Sequence, residues 1–128
     1  HEASLRINAI GPLLLVQAIE KLIADHATVA NISTQMASLS TRSEFRSPSY
    51  SMSKAAQNMA TVQLALALRS RGIKVVALNP GWVRTDMGGA GGELAPEEAA
   101  SGLLQVIDGV RDHDSGHFLD WRGQPVAW

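Results

Sequence analysis

The sequence predicts an α/β fold, in which a short parallel sheet lies between the helices that connect its strands. Segments with helical and strand-like periodicity alternate along the chain in the order helix, strand, helix, strand, helix, strand. Such alternation is typical of parallel sheets with helical crossovers. The 128 residues show no internal repeat and no linker, and their number suits one hydrophobic core. We therefore predict a three-layer arrangement and a single domain over residues 1–128.

Three segments have the apolar spacing of amphipathic helices. They run from Glu2 to about Ala24, from Ser47 to about Arg71, and from Pro96 to about Val110. In the second, Ser47 is predicted to cap the helix with its hydroxyl, Pro48 takes the first helical position, and Gly72 follows the last turn. The apolar residues of this second helix recur at intervals of three and four: Met52, Ala55, Ala56, Met59, Val62 and Leu66.

Three short apolar segments are predicted strands, namely Ala27–Ser33, Ile73–Asn79 and His117–Trp121. A polar loop, Thr34–Arg46, follows the first strand, and Pro80-Gly81 stops the second. The glycine-rich segment Gly88–Gly92 has no capacity for regular structure of its own, and Asp114-Ser115-Gly116 is a turn.

Composition limits the possible functions. A net charge of −1 gives no electrostatic reason to expect binding to nucleic acid or an anionic membrane surface, and no apolar run is long enough to span a bilayer. The absence of cysteine excludes disulfides and thiolate zinc sites, and it suits a cytoplasmic location. His113 and His117 are four apart but are separated by a turn, so we predict no metal site there.

Tyr50 and Lys54 stand four residues apart near the start of the second helix, which places both side chains on one face. A phenol has a pKa of ~10, and a nearby ammonium and the helix N-terminus would lower it. Such a tyrosine can donate a proton to a ketone oxygen or remove one from an alcohol. An exposed Tyr–Lys pair without function has the same spacing, so the pair alone is a weak motif.

Asn8 lies one turn before Pro12 in the first helix. Pro12 has no N–H to donate to the Asn8 carbonyl, and its ring crowds that oxygen, so we expect a kink. The freed carbonyl is suited to bind a water molecule. A proline kink that only improves packing is the alternative interpretation.

Four motifs together resemble the short-chain dehydrogenase/reductase family. They are the helix segment Leu5–Pro12, the strand Val29-Ala30-Asn31-Ile32-Ser33-Thr34, the run Tyr50-Ser51-Met52-Ser53-Lys54-Ala55-Ala56, and the segment Ile73–Met87 with its Asn79-Pro80-Gly81 turn. They occur in the family's order over almost the whole chain, and they are most similar to its C-factor and sniffer-like carbonyl reductase branch. The resemblance implies a partial Rossmann-like fold and an NAD(P)-dependent oxidoreductase acting on a small carbonyl or alcohol substrate.

The resemblance also implies roles for individual residues. Tyr50 would be the proton donor or acceptor, Lys54 would assist it and hold the nicotinamide ribose, and Asn8 would take part in a proton relay through water. Thr34 stands where the family has a substrate-orienting serine, with Ser33 and Ser38 as neighbouring candidates. The residues implied to bind the cofactor are Tyr50 and Lys54, together with four that would line the nicotinamide and its phosphate: Pro80, Gly81, Val83 and Thr85.

The family's N-terminal half, with its glycine-rich phosphate turn and adenosine pocket, has no counterpart in these residues. We therefore expect the chain to correspond to the C-terminal half of such an enzyme, to bind NAD(P) very weakly and to be inactive alone. The alternative is a non-catalytic relic or gene-cassette product that folds and self-associates. A third possibility is activity only with a separate N-terminal half. The substrate and the choice between NAD and NADP stay open.

Association of the chain is expected in each case. The strand Ala27–Ser33 would leave an open sheet edge. The family commonly dimerises through the helices that correspond to Glu2–Ala24 and Ser47–Arg71, which implies a homodimer or homotetramer. Small residues would allow these helices to approach closely: Ala55, Ala56, Ala60, Ala65 and Ala67.

Overall fold

A computed structural model describes residues 1–83, 92 and 94–128. The predicted strands form one parallel sheet in the order β1-β2-β3, with β1 at Thr28–Ile32, β2 at Lys74–Asn79 and β3 at Phe118–Asp120. Each strand is one or two residues shorter than predicted. The α/β class and the parallel sheet with helical crossovers are confirmed.

Three helical regions accompany the strands. The N-terminal helix comprises α1 (Glu2–Leu5), a π-helical segment (Arg6–Ile10), α2 (Gly11–Ile19) and a 3₁₀ turn (Glu20–Leu22). The second helix, α3 (Pro48–Ala67), is followed by a 3₁₀ turn (Arg69–Arg71). The third helix is α4 (Pro96–Gly109). Short 3₁₀ turns also occur at Gln35–Ala37 and Asp112–Asp114.

The central strand β2 is packed on both sides, as is usual in a parallel sheet. Val75 points into a cluster formed with α2 and α3, which includes Val16 and Leu64. Val76 and Leu78 point to the opposite face, against Val110, Leu119 and the apolar side of α4: Leu103, Val106 and Ile107. The alternation of side chains along β2 thus produces the predicted three layers.

The N-terminal helix is interrupted where Pro12 predicts a kink. The interruption takes the form of the π-helical segment Arg6–Ile10, in which the Gly11 N–H donates to the carbonyl of Arg6. A π-helical turn is wider than an α-helical turn, and it accommodates Pro12, which has no N–H to donate. A Cβ at Gly11 would lie only 3.1 Å from the Arg6 oxygen, so the small residue suits this turn. The predicted kink thus takes the form of a π-helical segment, and the helical region ends at Leu22, two residues before the predicted end at about Ala24.

Helix α3 begins and ends close to the predicted residues, but its N-cap differs. Ser47 has a left-handed backbone, with φ of 47°, and its side chain makes no capping hydrogen bond, so the predicted hydroxyl cap was wrong. Pro48 occupies the first turn as predicted. Gly72 follows the last 3₁₀ turn with φ of 69°, which confirms its predicted place after the helix.

The apolar stripe of α3 faces away from the sheet. Met52, Met59 and Leu66 are 61%, 59% and 62% exposed. The buried residues of this helix are instead mostly polar: Ser53, Gln57, Asn58, Thr61, Leu64 and Ala65. The stripe therefore predicted the helix correctly, but it does not mark the side that packs against the sheet. Ala65 lies in the core cluster of the chain itself and not on the outward side of this helix.

The outer strands β1 and β3 differ in what lies along their free edges. The segment after β3 turns back along it, so that the Val126 N–H donates to the Phe118 oxygen at 2.8 Å and the Trp128 ring stacks on Phe118. In the described part of the chain, β1 pairs only with β2.

None of the helices described is both long and apolar enough to cross a membrane.

Candidate active site

The candidate residues gather at the carboxyl edge of the sheet. Because the strands are parallel, Ile32, Asn79 and Asp120 end β1, β2 and β3 at the same edge. The loops after β1 and β2 are connected there, since the Asn79 amide donates to Gln35 at 3.3 Å. Crevices at this edge are the usual ligand sites of open α/β sheets.

Lys54 reaches this edge from the first half of α3. Its Nζ donates to the Ile32 carbonyl at 3.0 Å and to Gln57 Oε1 at 3.1 Å. Burial lowers the pKa of the Lys54 ammonium below its ordinary value. Tyr50 lies one turn earlier on α3 and is 41% exposed, so a ligand can reach it. The structure thus places a partly buried cation one helical turn from a reachable phenol.

Asn8 is tied to α3 by its side chain. Its Nδ2 donates to Ser53 Oγ at 3.0 Å, and Ser53 Oγ in turn donates to the Tyr50 carbonyl at 2.8 Å. Ser53 is fully buried, whereas Asn8 is half-buried. Asn8 therefore sits in the π-helical segment close to the turn that carries Tyr50 and Lys54.

The three hydroxyl candidates after β1 have different partners. Ser33 Oγ donates to Asn58 Oδ1, and Ser38 Oγ donates to the Ala127 carbonyl, both at 2.7 Å. Thr34 Oγ1 accepts from the Met36 N–H at 3.2 Å and so caps the 3₁₀ turn Gln35–Ala37. A hydroxyl has one proton to donate, and accepting a bond does not use it.

The described residues directly after β2, from Pro80 to Val83, contribute backbone and carry no charged side chain. Gly81 has φ of 81°, and its N–H donates to Asn79 Oδ1 at 3.1 Å. A Cβ at Gly81 would lie 2.7 Å from Leu94 and 2.9 Å from Trp121, so only glycine fits. Pro80 precedes it, and Val83 forms a parallel bridge with Leu94. The predicted phosphate-side residue Thr85 and most of Gly88–Gly92 lie outside the described residues.

Sequence reasoning missed the polar residues on the inner face of α3. Gln57, Asn58 and Thr61 are buried beneath Lys54, and Asn31 of β1 donates to Thr61 Oγ1 at 2.9 Å. The Asn58 amide nitrogen is buried without a hydrogen-bond partner in the described residues. Polar side chains at positions 53, 57 and 61, on the face of Tyr50 and Lys54, were the signal that could have found them.

Comparison with known proteins was made by sequence and by structure. A family model described as enoyl-(acyl carrier protein) reductase matches residues 2–103. The C-signal protein of Myxococcus xanthus is 40% identical over 124 residues, which cover 95% of this chain and 75% of that protein. A 1-hydroxy-2-glutathionyl-2-methyl-3-butene dehydrogenase of a Rhodococcus species is 33% identical over 128 residues, which cover 97% and 57%.

Solved structures have the same fold. The carbonyl reductase Sniffer of D. melanogaster superposes with a TM-score of 0.93 at 29% identity, covering 97% of this chain and 55% of that one. An NADPH-bound carbonyl reductase from chicken fatty liver gives a TM-score of 0.85 at 37% identity, covering 94% and 54%. Except for the C-signal protein, the chain spans little more than half the length of these relatives.

Proposed function

The chain belongs to the short-chain dehydrogenase/reductase family, and on that premise we propose that it is the proton-transferring part of an NAD(P)-dependent oxidoreductase. The reaction would reduce a small carbonyl compound or oxidise the corresponding alcohol. The observation that carries this proposal is the position of Lys54, whose ammonium is bound to Ile32 at the carboxyl edge one turn from Tyr50. The dehydrogenase and the carbonyl reductases among the relatives support the same reaction class.

Tyr50 would carry the proton. In reduction its hydroxyl donates to the substrate oxygen as negative charge develops there, and in oxidation the reverse transfer takes place. The Lys54 ammonium stabilises the negative charge left on the Tyr50 oxygen. Lys54 Nζ donates to the Ile32 carbonyl and to Gln57 Oε1, and these two bonds support the role because they fix the position of the ammonium. Asn8 would connect to the same turn through Ser53.

Thr34 would orient the substrate oxygen. Ser33 and Ser38 donate their protons to internal oxygen atoms, whereas the Thr34 hydroxyl accepts its hydrogen bond from a backbone N–H. This difference supports Thr34 over its two neighbours for the serine role. Its methyl group would narrow the pocket relative to serine.

The residues present fit the nicotinamide side of a cofactor site. Lys54 can donate to ribose hydroxyls, and Gly81, whose Cα is packed against Leu94 and Trp121, fixes the path of the backbone that leaves β2. Pro80 and Val83 would line the ring, with Thr85 as the proposed residue on the phosphate side. When bound, the cofactor supplies or accepts the hydride. NADPH in a related structure supports this class of cofactor.

We propose that these 128 residues alone bind the cofactor weakly and do not turn over. They contain no glycine-rich phosphate turn after a strand, so they offer no helix N-terminus for the pyrophosphate. Titration with NADPH and NADH should give a Kd of about 1 mM or weaker. Micromolar binding that Lys54→Ala weakens would contradict this part of the proposal.

The chemical step is tested in the polypeptide encoded by the whole reading frame that contains these residues. Tyr50→Phe removes only the hydroxyl, so kcat for carbonyl reduction should fall by roughly 10²–10⁴-fold. Consumption of NADPH measures the rate, and a parallel NADPH titration separates a loss in the chemical step from a loss in cofactor binding. An unchanged kcat in the Phe variant would refute the role of Tyr50.

We also propose that the chain associates with a second copy through its helices. The outward side of α3 supports this proposal, since Met52, Met59 and Leu66 are exposed there, and Ile7 and Leu14 are exposed on the N-terminal helix. Patches of this kind mark interaction surfaces. Sedimentation should detect a homodimer or homotetramer, whereas a monomer at high micromolar concentration would contradict the proposal.

A non-catalytic role is the second candidate. It is favoured by the match to the C-signal protein, whose name describes signalling and of whose length the chain covers 75%. In that case the motifs at Tyr50 and Lys54 would be inherited and unused. Tyr50→Phe separates the two candidates, because a non-catalytic protein loses nothing when the hydroxyl is removed.

A further inference from the structure

Gln57 is a buried polar residue at a position where a helix normally presents an apolar side chain to its sheet. It is 5% exposed and lies one turn after Ser53 on the inner face of α3. A buried amide is costly unless it is hydrogen-bonded. Gln57 Oε1 meets this need by accepting from the Lys54 ammonium at 3.1 Å. Within the described residues, the polar partner of the Gln57 side chain is thus the candidate catalytic lysine.

Within residues 1–83, 92 and 94–128, few other groups are placed to balance the charge of Lys54. The strand β1 and the 3₁₀ turn Gln35–Ala37, which lie against this part of α3, contain no charged residue. Arg6, the charged residue of the π-helical segment, is paired with Glu2 at 2.9 Å. On α3 itself, the titratable neighbour is Tyr50. Among the described residues, the acceptors that hold the charged form of Lys54 are therefore two neutral groups, the Ile32 carbonyl and the Gln57 amide.

We propose that Gln57 is a positioning residue that keeps the Lys54 ammonium charged and directed toward the carboxyl edge. An ammonium has three protons, and the bonds to Ile32 and Gln57 engage two of them. The third is left for an acceptor at the edge, such as a ribose hydroxyl or the Tyr50 oxygen. This inference deepens the proposed function and rests on the role given there to Lys54.

The ammonium can be observed directly, without turnover or cofactor. The chain has three lysines, Lys21, Lys54 and Lys74, so ¹³Cε-labelled lysine gives few NMR signals, and Lys54→Arg identifies the relevant one. Gln57→Leu removes the acceptor, and the Lys54 titration midpoint should move to lower pH by about one unit. Gln57→Glu places a carboxylate there, and the midpoint should move to higher pH.

Gln63→Leu is the matched control. Gln63 lies on the exposed side of the same helix, so this variant should leave the Lys54 midpoint unchanged. In the full-reading-frame protein, Gln57→Leu should lower kcat and Gln57→Glu should restore part of it, since either acceptor holds the ammonium.

An unchanged Lys54 midpoint in folded Gln57→Leu protein would overturn the inference. If Gln57→Leu does not fold, Gln57→Met replaces it, because methionine has a similar length and no amide oxygen to accept from Lys54. Gln57→Glu tests independently whether the Lys54 midpoint depends on the group at position 57. A Gln57-dependent midpoint in a protein whose Tyr50→Phe variant keeps full activity would refute the proposed function alone. Loss of activity in Tyr50→Phe with a Gln57-independent midpoint would refute only the role of Gln57.

Discussion

The side of α3 that packs against the sheet carries Gln57 and Thr61, whereas the side turned away carries Met52, Met59 and Leu66. In an ordinary surface helix the polar and apolar sides are the other way round. On the inner side, hydrogen bonds to Lys54 and to β1 replace part of the apolar packing. A helix that bears both a candidate catalytic site and a candidate binding surface therefore need not follow the amphipathic rule.

The largest expected difference between the two sides is in folding stability, and one pair of leucines tests it. Leu64 is 5% exposed within the core cluster, whereas Leu66, two residues on, is 62% exposed. Leu64→Ala should lower the free energy of unfolding by about 2–5 kcal/mol because it leaves a cavity. Leu66→Ala should change it by no more than about 0.5 kcal/mol at low protein concentration. Urea denaturation measures both, and equal losses would show that the two sides do not differ.

A smaller effect is expected on association, and it should come from the outer side alone. The double variant Met59→Glu, Leu66→Glu places charge in the apolar stripe. Its dissociation constant should rise at least about tenfold, which corresponds to about 1.4 kcal/mol. The urea midpoint at low protein concentration serves as the control and should change little. Sedimentation equilibrium gives the association constant. Unaltered association of the double variant would place the interface elsewhere, for example at the open edge of β1.

The smallest effect concerns the pH dependence contributed by Lys54. Burial lowers the pKa of its ammonium in the folded protein below the ordinary value of 10.5, so the folded state binds its proton less tightly than the unfolded state. The cost of burying this charge is fully present below the folded pKa, and it disappears as the pH rises from that pKa to 10.5. Lys54→Met removes this pH-dependent cost but leaves Gln57 Oε1 without its donor at every pH, so the stability gain relative to the native protein should be smaller at alkaline than at neutral pH. Urea midpoints at the two pH values measure this, and a gain that grows with pH would contradict it.

Much of the fold was predictable because it depends on local patterns. Apolar runs such as β2 and the proline and glycine signals at Pro48 and Gly72 act through neighbouring residues, and all were found close to their observed positions. The cap at Ser47 was wrong because the residue takes a left-handed conformation that its local sequence does not require. The interruption of the N-terminal helix near Pro12 was predicted, but its π-helical form was not, since a proline alone does not specify how the helix accommodates it.

The candidate site was predictable in its residue types but not in its contacts. Tyr50, Lys54, Asn8 and Thr34 were named from motifs, and their roles in catalysis stay predictions. The partners of these residues come from other segments: Asn8 binds Ser53, and Lys54 binds the Ile32 carbonyl, 22 positions away. Helical periodicity cannot show such contacts, because it ranks faces by polarity and the inner face of α3 is polar.

The sequence by itself determined the α/β class, the order of the elements and the spacing of Tyr50 and Lys54, because propensity, periodicity and turn chemistry act over a few residues. Only the tertiary structure decided which side of α3 meets the sheet. That choice depends on whether buried polar groups find partners on other segments, as Thr61 does with Asn31 and Lys54 does with Ile32. The same packing joined Gln57 to Lys54, since a partly buried cation needs an acceptor that the fold alone can bring to it.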